Sequence, residues 1–152
     1  MAYQPAPHGL SADIKKKLQE KRDPGQEEEV LQWIEKIIGT PLDRSIGYVN
    51  LLHGGDLLCR MFNCIVPGSI KKVNDKPIMP FKIMENINGF LEAITRYGVP
   101  VLDLFQTIDL FEKKDICQVT QTLYALGRTC QSHNEFNGPI LGPKLSSKIT
   151  DL

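Results

Sequence analysis

Apolar residues recur at helical spacing along residues 105–127, the most regular pattern in the chain. The second half of this segment predicts a buried helix that starts after Asp115, because Asp is a favoured N-cap residue and Gln118 follows three positions later, as in a capping box. Because glycine costs about 1 kcal/mol relative to alanine inside a helix, we expect Gly127 to mark the close approach of a second helix. The stripe that predicts the buried face consists of Ile116, Val119, Thr120, Leu123, Leu126 and Gly127.

A dense group of apolar residues precedes this helix. It contains Leu102, Phe105, Ile108, Leu110 and Phe111. Such density predicts a short, tightly packed turn or helix that exposes little of its surface.

Three further stretches carry the apolar stripe of a helix. The first follows a Pro-Gly break at residues 23–25 and ends at Gly39, the second covers about 52–66, and the third covers about 81–97. Their predicted core residues are Val30, Trp33, Ile34, Ile37 and Ile38 in the first helix, Leu58, Met61, Phe62 and Ile65 in the second, and Ile83, Ile87, Phe90, Leu91 and Ile94 in the third. Trp33 is interpreted as a core residue rather than a ligand platform, because it lies within such a stripe.

The two ends of the chain differ in composition from this helical part. Residues 1–10 contain prolines and a glycine among polar residues, and they predict a flexible N-terminus. Ser11 then predicts the start of a short basic helix. Residues 134–152 contain two Gly-Pro pairs and no periodicity, so they predict an extended tail. The domain is therefore expected to span residues 11–133.

The connections between the helices decide the fold class. Residues 40–50 predict a loop, residues 67–80 predict an irregular connection, and no stretch predicts a strand. Long, proline-rich connections are unlike those of a simple up-down bundle. The sequence predicts an all-α domain with four main helices, short connecting helices and a basic N-terminal helix.

Composition narrows the classes of partner. The 152 residues include 18 acidic and 18 basic ones, so the formal net charge is zero, and no nucleic-acid partner is predicted. None of the four cysteines forms a CxxC pair, which predicts reduced thiols and a cytoplasmic location. No segment approaches the ~20 apolar residues that span a bilayer, and the N-terminus lacks the apolar core of a signal peptide, so no membrane partner is predicted.

No set of side chains has the arrangement that catalysis requires, which is a base near a nucleophile and a third group that orients it. His8 and His133 lie in or beside flexible segments, and His53 stands alone at a helix start. The glycine pair at 54–55 lacks the frame of a phosphate loop and is interpreted as relief of crowding. The acidic run at 27–29 is interpreted as a solvated helix start. We predict no enzymatic activity, no cofactor and no metal site.

The remaining signal is the clustering of basic residues. An exposed lysine is by itself usually a solvated side chain, but clusters predict a face for an acidic partner, with binding that weakens in salt. The candidate residues are Lys15, Lys16, Lys17, Lys21 and Arg22 in the first cluster, Lys71 and Lys72 in the second, and Lys113 and Lys114 in the third.

Several segments resemble, in order, the calponin homology domain, and more narrowly the calponin–transgelin family with its myophilin-like members. They are VLQWIEKIIG, LLHGGDLLCRMFNCIVPGSIKKVN, FKIMENINGFLEAITRYGV and DLFEKKDICQVTQTLYALG. The segment GLSADIKKKLQEKRD resembles the basic N-terminal helix of that family, and GPILGPKLSSK resembles the linker after its domain.

The resemblance implies a compact helical fold, a place in the actin cytoskeleton, often in muscle, and no catalytic residues. It implies F-actin as a partner. It also implies an alternative role as a signalling adaptor, because calponin-type domains dock kinases. Full-length family members continue into a basic segment and calponin-like repeats, which are assigned much of the F-actin affinity. No such repeat lies within residues 1–152, so we expect the domain alone to bind actin weakly or to act as an adaptor.

Overall fold

The computed structural model describes residues 21–145 and contains no strand within that range. Two 3₁₀ turns, Arg44–Ile46 and Val101–Asp103, connect the helices. The predicted all-α class is confirmed, while most of the predicted N-terminal basic helix lies outside the described residues. The helices in chain order are α1 (Pro24–Ile38), α2 (Tyr48–His53), α3 (Asp56–Ile65), α4 (Pro80–Tyr97), α5 (Thr107–Phe111) and α6 (Ile116–Ser132).

One hydrophobic core holds the helices together. α3 packs along α4, α1 packs against both α3 and α6, and α5 bridges α4 and α6. The ring of Phe62 lies edge-on to those of Phe90 and Tyr97, with centroid distances of 6.5 and 5.3 Å. Trp33 is fully buried among these helices, which confirms its interpretation as a core residue.

Aspartates cap two of the long helices. The carboxylate of Asp115 accepts a hydrogen bond from the backbone N–H of Gln118 at 3.1 Å, which confirms the predicted N-cap. The side chain of Gln118 does not complete a capping box, because its amide donates to the carbonyl oxygen of Asp103 at 3.2 Å. Asp23 caps α1 in the same way, with Pro24 at the first helical position, so the predicted break is the helix cap itself.

The predicted loop over 40–50 is wrong from Tyr48 onward, and the predicted helix over 52–66 is confirmed only over Asp56–Ile65. α2 begins at Tyr48, and a glycine pair that ends at Gly55 separates it from α3. Gly55 has φ +77°, and a Cβ added there would lie 2.8 Å from the Cβ of Asn86, which confirms that the pair relieves crowding. α2 was missed because its six residues offer too few apolar positions to show a helical period.

The apolar segment 102–111 is only partly buried, contrary to the expectation of little exposed surface. Phe105 and Leu110 enter the core, but Leu102 is 95% exposed. The physical reason is the 3₁₀ turn that contains Leu102. The side chains of Gln118 and Thr122 donate to the carbonyl oxygen of Asp103, so the turn is fixed to α6 by its backbone while Leu102 faces outward.

Residues 139–145, which we name the C-terminal strap, pack across α1 and α6. Leu141 is fully buried in this position. A Cβ added at Gly127 would lie 2.9 Å from the Cβ of Leu141, so Gly127 is required for the approach of the strap. The expectation that a second helix packs on Gly127 is therefore wrong.

Hydrogen bonds hold the strap along its length. They are Trp33 Nε1–H to the Pro139 carbonyl at 2.9 Å, the Gly142 N–H to Glu29 Oε2 at 3.2 Å, Gln131 Nε2–H to the Pro143 carbonyl at 3.0 Å and the Leu145 N–H to Gln131 Oε1 at 2.7 Å. Because both α1 and α6 contribute partners, the strap fixes these two helices relative to each other.

Candidate partner-binding surface

The first basic cluster is described only at its C-terminal end, because the lysines at 15–17 lie outside the described residues. Lys21 is exposed to solvent. Arg22 instead contacts Glu27, with Nε and Nη2 donating to the two carboxylate oxygens at 2.7 and 2.9 Å. The ammonium group of Lys21 is therefore accessible to a partner, whereas the guanidinium of Arg22 is already paired within the domain.

The three glutamates that open α1 were interpreted as a solvated helix start, and this is wrong for Glu27. Glu27 is 8% exposed, and its carboxylate is satisfied by the bidentate pair with Arg22. The same hydrogen bonds raise the pKa of the Arg22 guanidinium. Glu28 also has a structural partner, because Arg44 Nε donates to it at 2.9 Å.

The third cluster lies in the turn between α5 and α6. Lys113 has φ +57°, and its Nζ lies 3.4 Å from Asn50 Oδ1. Lys114 Nζ lies 3.4 Å from Glu112 Oε1. Both lysines are exposed, and an exposed ion pair of this length contributes little to stability. Their ammonium groups are therefore available to a partner.

The described end of the first cluster, Lys21 and Arg22, lies near the start of α6. Burial and the charge of Asp115 raise the pKa of the Cys117 thiol, while the charges of Arg22 and Lys21 lower it, so these groups are close to the first turn of α6. The lysine pair at 113–114 directly precedes the same turn. Lys21, Arg22 and the lysine pair at 113–114 therefore all lie near the start of α6.

The second cluster has a different location. Lys71 and Lys72 line an open groove along α4, together with Phe81 and Met84. Lys72 Nζ lies 3.5 Å from Glu85 Oε1, and both residues are exposed. The second cluster is therefore associated with the outer face of α4, whereas Lys113, Lys114 and the described end of the first cluster lie near the start of α6.

Sequence analysis missed the structural role of Asn86, which is fully buried in α4. Its Nδ2 donates to the carbonyl oxygens of Gly54 and Asn74 at 3.0 and 2.8 Å, and its Oδ1 accepts the Asn74 N–H at 2.9 Å. These bonds fasten the connection before α4 to the body of the domain. The available signal was a polar residue directly beside Ile87 in an otherwise apolar stripe.

The residues suited to catalysis have structural partners. His53 and His133 each donate from Nε2 to a backbone carbonyl oxygen at 2.8 Å. Burial raises the pKa of Cys59 to about 12 and that of Cys130 to about 11, so both thiols are protonated at neutral pH. Between residues 21 and 145, no group of three or more His, Cys, Asp or Glu side chains is placed to hold a metal ion. None of the helices in that range has the length and apolar character of a membrane span.

Relatives among characterised proteins match most of the chain. Myophilin of Echinococcus granulosus is 61% identical over 148 residues, which are 97% of this chain and 78% of myophilin. Muscle-specific protein 20 of Drosophila melanogaster is 44% identical, over 89% of this chain and 73% of that protein. Calponin-1 of Meleagris gallopavo is 41% identical, over 93% of this chain and 77% of that protein.

Solved structures show the same fold. The calponin-homology domain of Rng2 from Schizosaccharomyces pombe matches with a TM-score of 0.68 and 24% identity, over 78% of this chain and 75% of that one. Autoinhibited Vav1 matches with a TM-score of 0.62 and 25% identity, over 80% of this chain and 24% of that one. The calponin homology (CH) domain family matches residues 24–132. With relatives at 41–61% identity over most of its length, the chain belongs to the calponin homology domain family and, within it, to the calponin–transgelin group that includes myophilin.

Proposed function

We propose that this chain is a cytoplasmic binding module of the actin cytoskeleton that organises or regulates filaments in muscle-type cells. The observation that carries the proposal is its similarity, over nearly its whole length, to myophilin, Muscle-specific protein 20 and calponin-1. The calponin–transgelin family consists of structural and binding proteins rather than enzymes, and membership is consistent with association with the actin cytoskeleton.

The proposed contact with the filament is the basic surface at the start of α6. Lys21, Lys113 and Lys114 are exposed there, and the lysines at 15–17 precede them in sequence. Arg22 contributes less, because Glu27 already holds its guanidinium. The pair Lys71 and Lys72 is proposed as a secondary contact. Clustered lysines attract an acidic partner surface through interactions that salt screens.

Co-sedimentation of the full chain with F-actin, at low and at physiological ionic strength, tests this proposal. We expect pelleting that decreases as salt is added. The double variant Lys113→Glu/Lys114→Glu should pellet less than the wild type at low salt. The matched control is Lys36→Glu/Lys144→Glu, which makes the same change in net charge at exposed lysines elsewhere. No pelleting at either salt, or equal loss in both variants, would reject this surface as the filament contact.

A signalling adaptor that docks a kinase is the second candidate. The observation that favours it is the match to autoinhibited Vav1, which places this fold in a regulated protein. A pull-down with the immobilised chain, in the absence of actin, distinguishes the two roles. Retention of a kinase without F-actin pelleting would favour the adaptor, whereas F-actin pelleting without kinase retention would exclude it as the main role.

A further inference from the structure

The connection before α4 exposes a set of apolar side chains that we name the apolar tip: Ile78, Met79 and Phe81. They are 89%, 53% and 56% exposed, respectively. Pro77 and Pro80 flank the first two residues and restrict their backbone. Adjacent large apolar residues on a surface commonly mark a site of interaction with a protein or a membrane.

The base of this connection is anchored, so the tip is held outward. Asn86 is fully buried and binds both the N–H and the carbonyl oxygen of Asn74. On the other side of the connection, the N–H of Lys76 donates to Asp56 Oδ2 at 2.9 Å. Lys76 has φ +45°, a strained conformation for a residue with a Cβ, and such strain is concentrated at functional sites. The fold thus fixes Ile78 in solvent rather than leaving it free to collapse onto the core.

Basic residues surround the apolar tip. They are Lys71, Lys72, Lys76 and Lys82, all exposed. The neighbouring acids have partners: Arg60 lies 3.3 Å from Asp56 and 3.4 Å from Asp75, and Lys72 lies 3.5 Å from Glu85. The other three lysines of the set form no ion pair in the described part of the chain. A positive surplus therefore surrounds the tip.

Two open grooves place lysines on either side of the connection that carries the apolar tip. Lys71, Lys72 and Phe81 line the groove along α4. Lys76 and Pro77 line a second groove on the side of the connection that faces α2 and α3. Lys71 and Lys72 thus lie on one side of the connection and Lys76 on the other.

We propose that this surface docks on an anionic lipid membrane, with Ile78 and Met79 inserted at the interface and the lysines at headgroup level. A protruding apolar tip needs a matching pocket on a protein partner, whereas a bilayer deforms around it. Lysine side chains extend their ammonium groups to anionic headgroups, and apolar side chains beside them enter the acyl boundary. From the sequence, no membrane partner was predicted because neither a membrane-spanning segment nor a signal peptide was found. This proposal concerns a peripheral contact, which requires neither.

Vesicle co-sedimentation of the full chain tests the proposal. The probes are vesicles of phosphatidylcholine alone and of phosphatidylcholine mixed with phosphatidylserine. We expect binding only to the mixed vesicles, with loss in Ile78→Asp/Met79→Asp and a decrease of about ten-fold or more in Lys76→Gln/Lys82→Gln. Because the substituted side chains are exposed, the variants should fold, and circular dichroism checks this.

The matched control is Val101→Asp/Leu102→Asp, which places the same charges on two other highly exposed apolar neighbours outside the lysine set. Retained binding in this control, with loss in the tip variant, supports the proposal. Absence of wild-type binding to the mixed vesicles, or equal binding by the wild type and the tip variant, overturns it. If the tip variant instead loses F-actin pelleting while no form binds vesicles, the tip is a protein contact and the membrane proposal is wrong.

Discussion

The indole Nε1–H of Trp33 donates a hydrogen bond to the carbonyl oxygen of Pro139 at 2.9 Å. This bond joins the middle of α1 to the strap that follows α6, and Leu141 fills the space beside Gly127 two residues later. Because Trp33 is the single tryptophan of the chain, its fluorescence reports directly whether the strap is in place.

Leu141→Ala should reduce the free energy of unfolding by about 2–5 kcal/mol, because it leaves a cavity against Gly127. The tryptophan emission should change in the folded state as the strap loosens. Urea unfolding followed by Trp33 fluorescence measures both effects. Ile140→Ala is the neighbouring control, since Ile140 is 44% exposed whereas Leu141 is fully buried, and it should cost much less than Leu141→Ala. Equal stability of the two variants would show that the strap does not contribute to the core.

Gly55→Ala should destabilise the domain more than Gly39→Ala does. Both glycines have a left-handed backbone, with φ +77° and φ +75°. A Cβ at Gly55 would lie 2.8 Å from the Cβ of Asn86, whereas nothing lies within 4 Å of one at Gly39. We expect about 1–2 kcal/mol for Gly39→Ala from backbone strain alone, and about 2–5 kcal/mol for Gly55→Ala with the added clash. Thermal melts of both variants measure the difference, and a larger loss at Gly39 would contradict the crowding explanation.

Asn86→Ala should cost about 3 kcal/mol or more, because it leaves the polar groups of Asn74 and the carbonyl oxygen of Gly54 without their buried partner. Hydrogen exchange at the amide of Lys76 should also accelerate as the base of the connection loosens. Chemical denaturation and amide exchange provide the two measurements. Asn50→Ala, at an exposed position, is the control. If the amide exchange rate at Lys76 is unchanged in Asn86→Ala, Asn86 does not anchor the connection.

Acid should weaken the link between α1 and the turn before α2. Hydrogen bonds from Arg44, and then from the Leu42 N–H, lower the pKa of Glu35 from its ordinary 4.5 to about 2. A pKa that is lower in the folded state means that the stabilisation is complete above pH 4.5 and is lost as the pH falls towards 2. Glu35→Gln should therefore lose less stability across this interval than the wild type.

Melting temperatures at a series of pH values between 5 and 2 test this expectation. The control is Glu92→Gln, at an exposed carboxylate that forms no ion pair within residues 21–145. Parallel curves for the wild type and Glu35→Gln would show that the Arg44 pair does not contribute to acid sensitivity.

The local pattern of apolar residues was sufficient to predict the long helices. The stripes that contain Trp33, Ile87 and Leu123 predicted α1, α4 and α6, and these residues are buried as expected. Asp115 was predicted as an N-cap because a cap depends on residues within one turn. The family was also recognisable from sequence, because its motifs are contiguous strings.

Features that depend on contacts between distant residues could not be predicted from local sequence patterns. α2 is too short to show a period, and the hydroxyl of Tyr48 in it is paired with Thr120 of α6 at 2.7 Å. Leu102 is exposed although Phe105 and Leu110 of the same apolar segment are buried, because α6 holds the turn through its backbone.

The partner of Gly127 and the grouping of the basic residues also depend on distant parts of the chain. The residue that meets Gly127 comes from the strap, and helical periodicity within α6 carries no information about that partner. In the sequence, Lys21 and the pair Lys113 and Lys114 near the start of α6, and likewise the lysines around Ile78, appear only as separate runs. The buried faces of the long helices could be predicted from sequence, because burial follows the period of a single helix. What covers each face, and which charges share a surface, could not be predicted, because both depend on how segments far apart in the chain pack together.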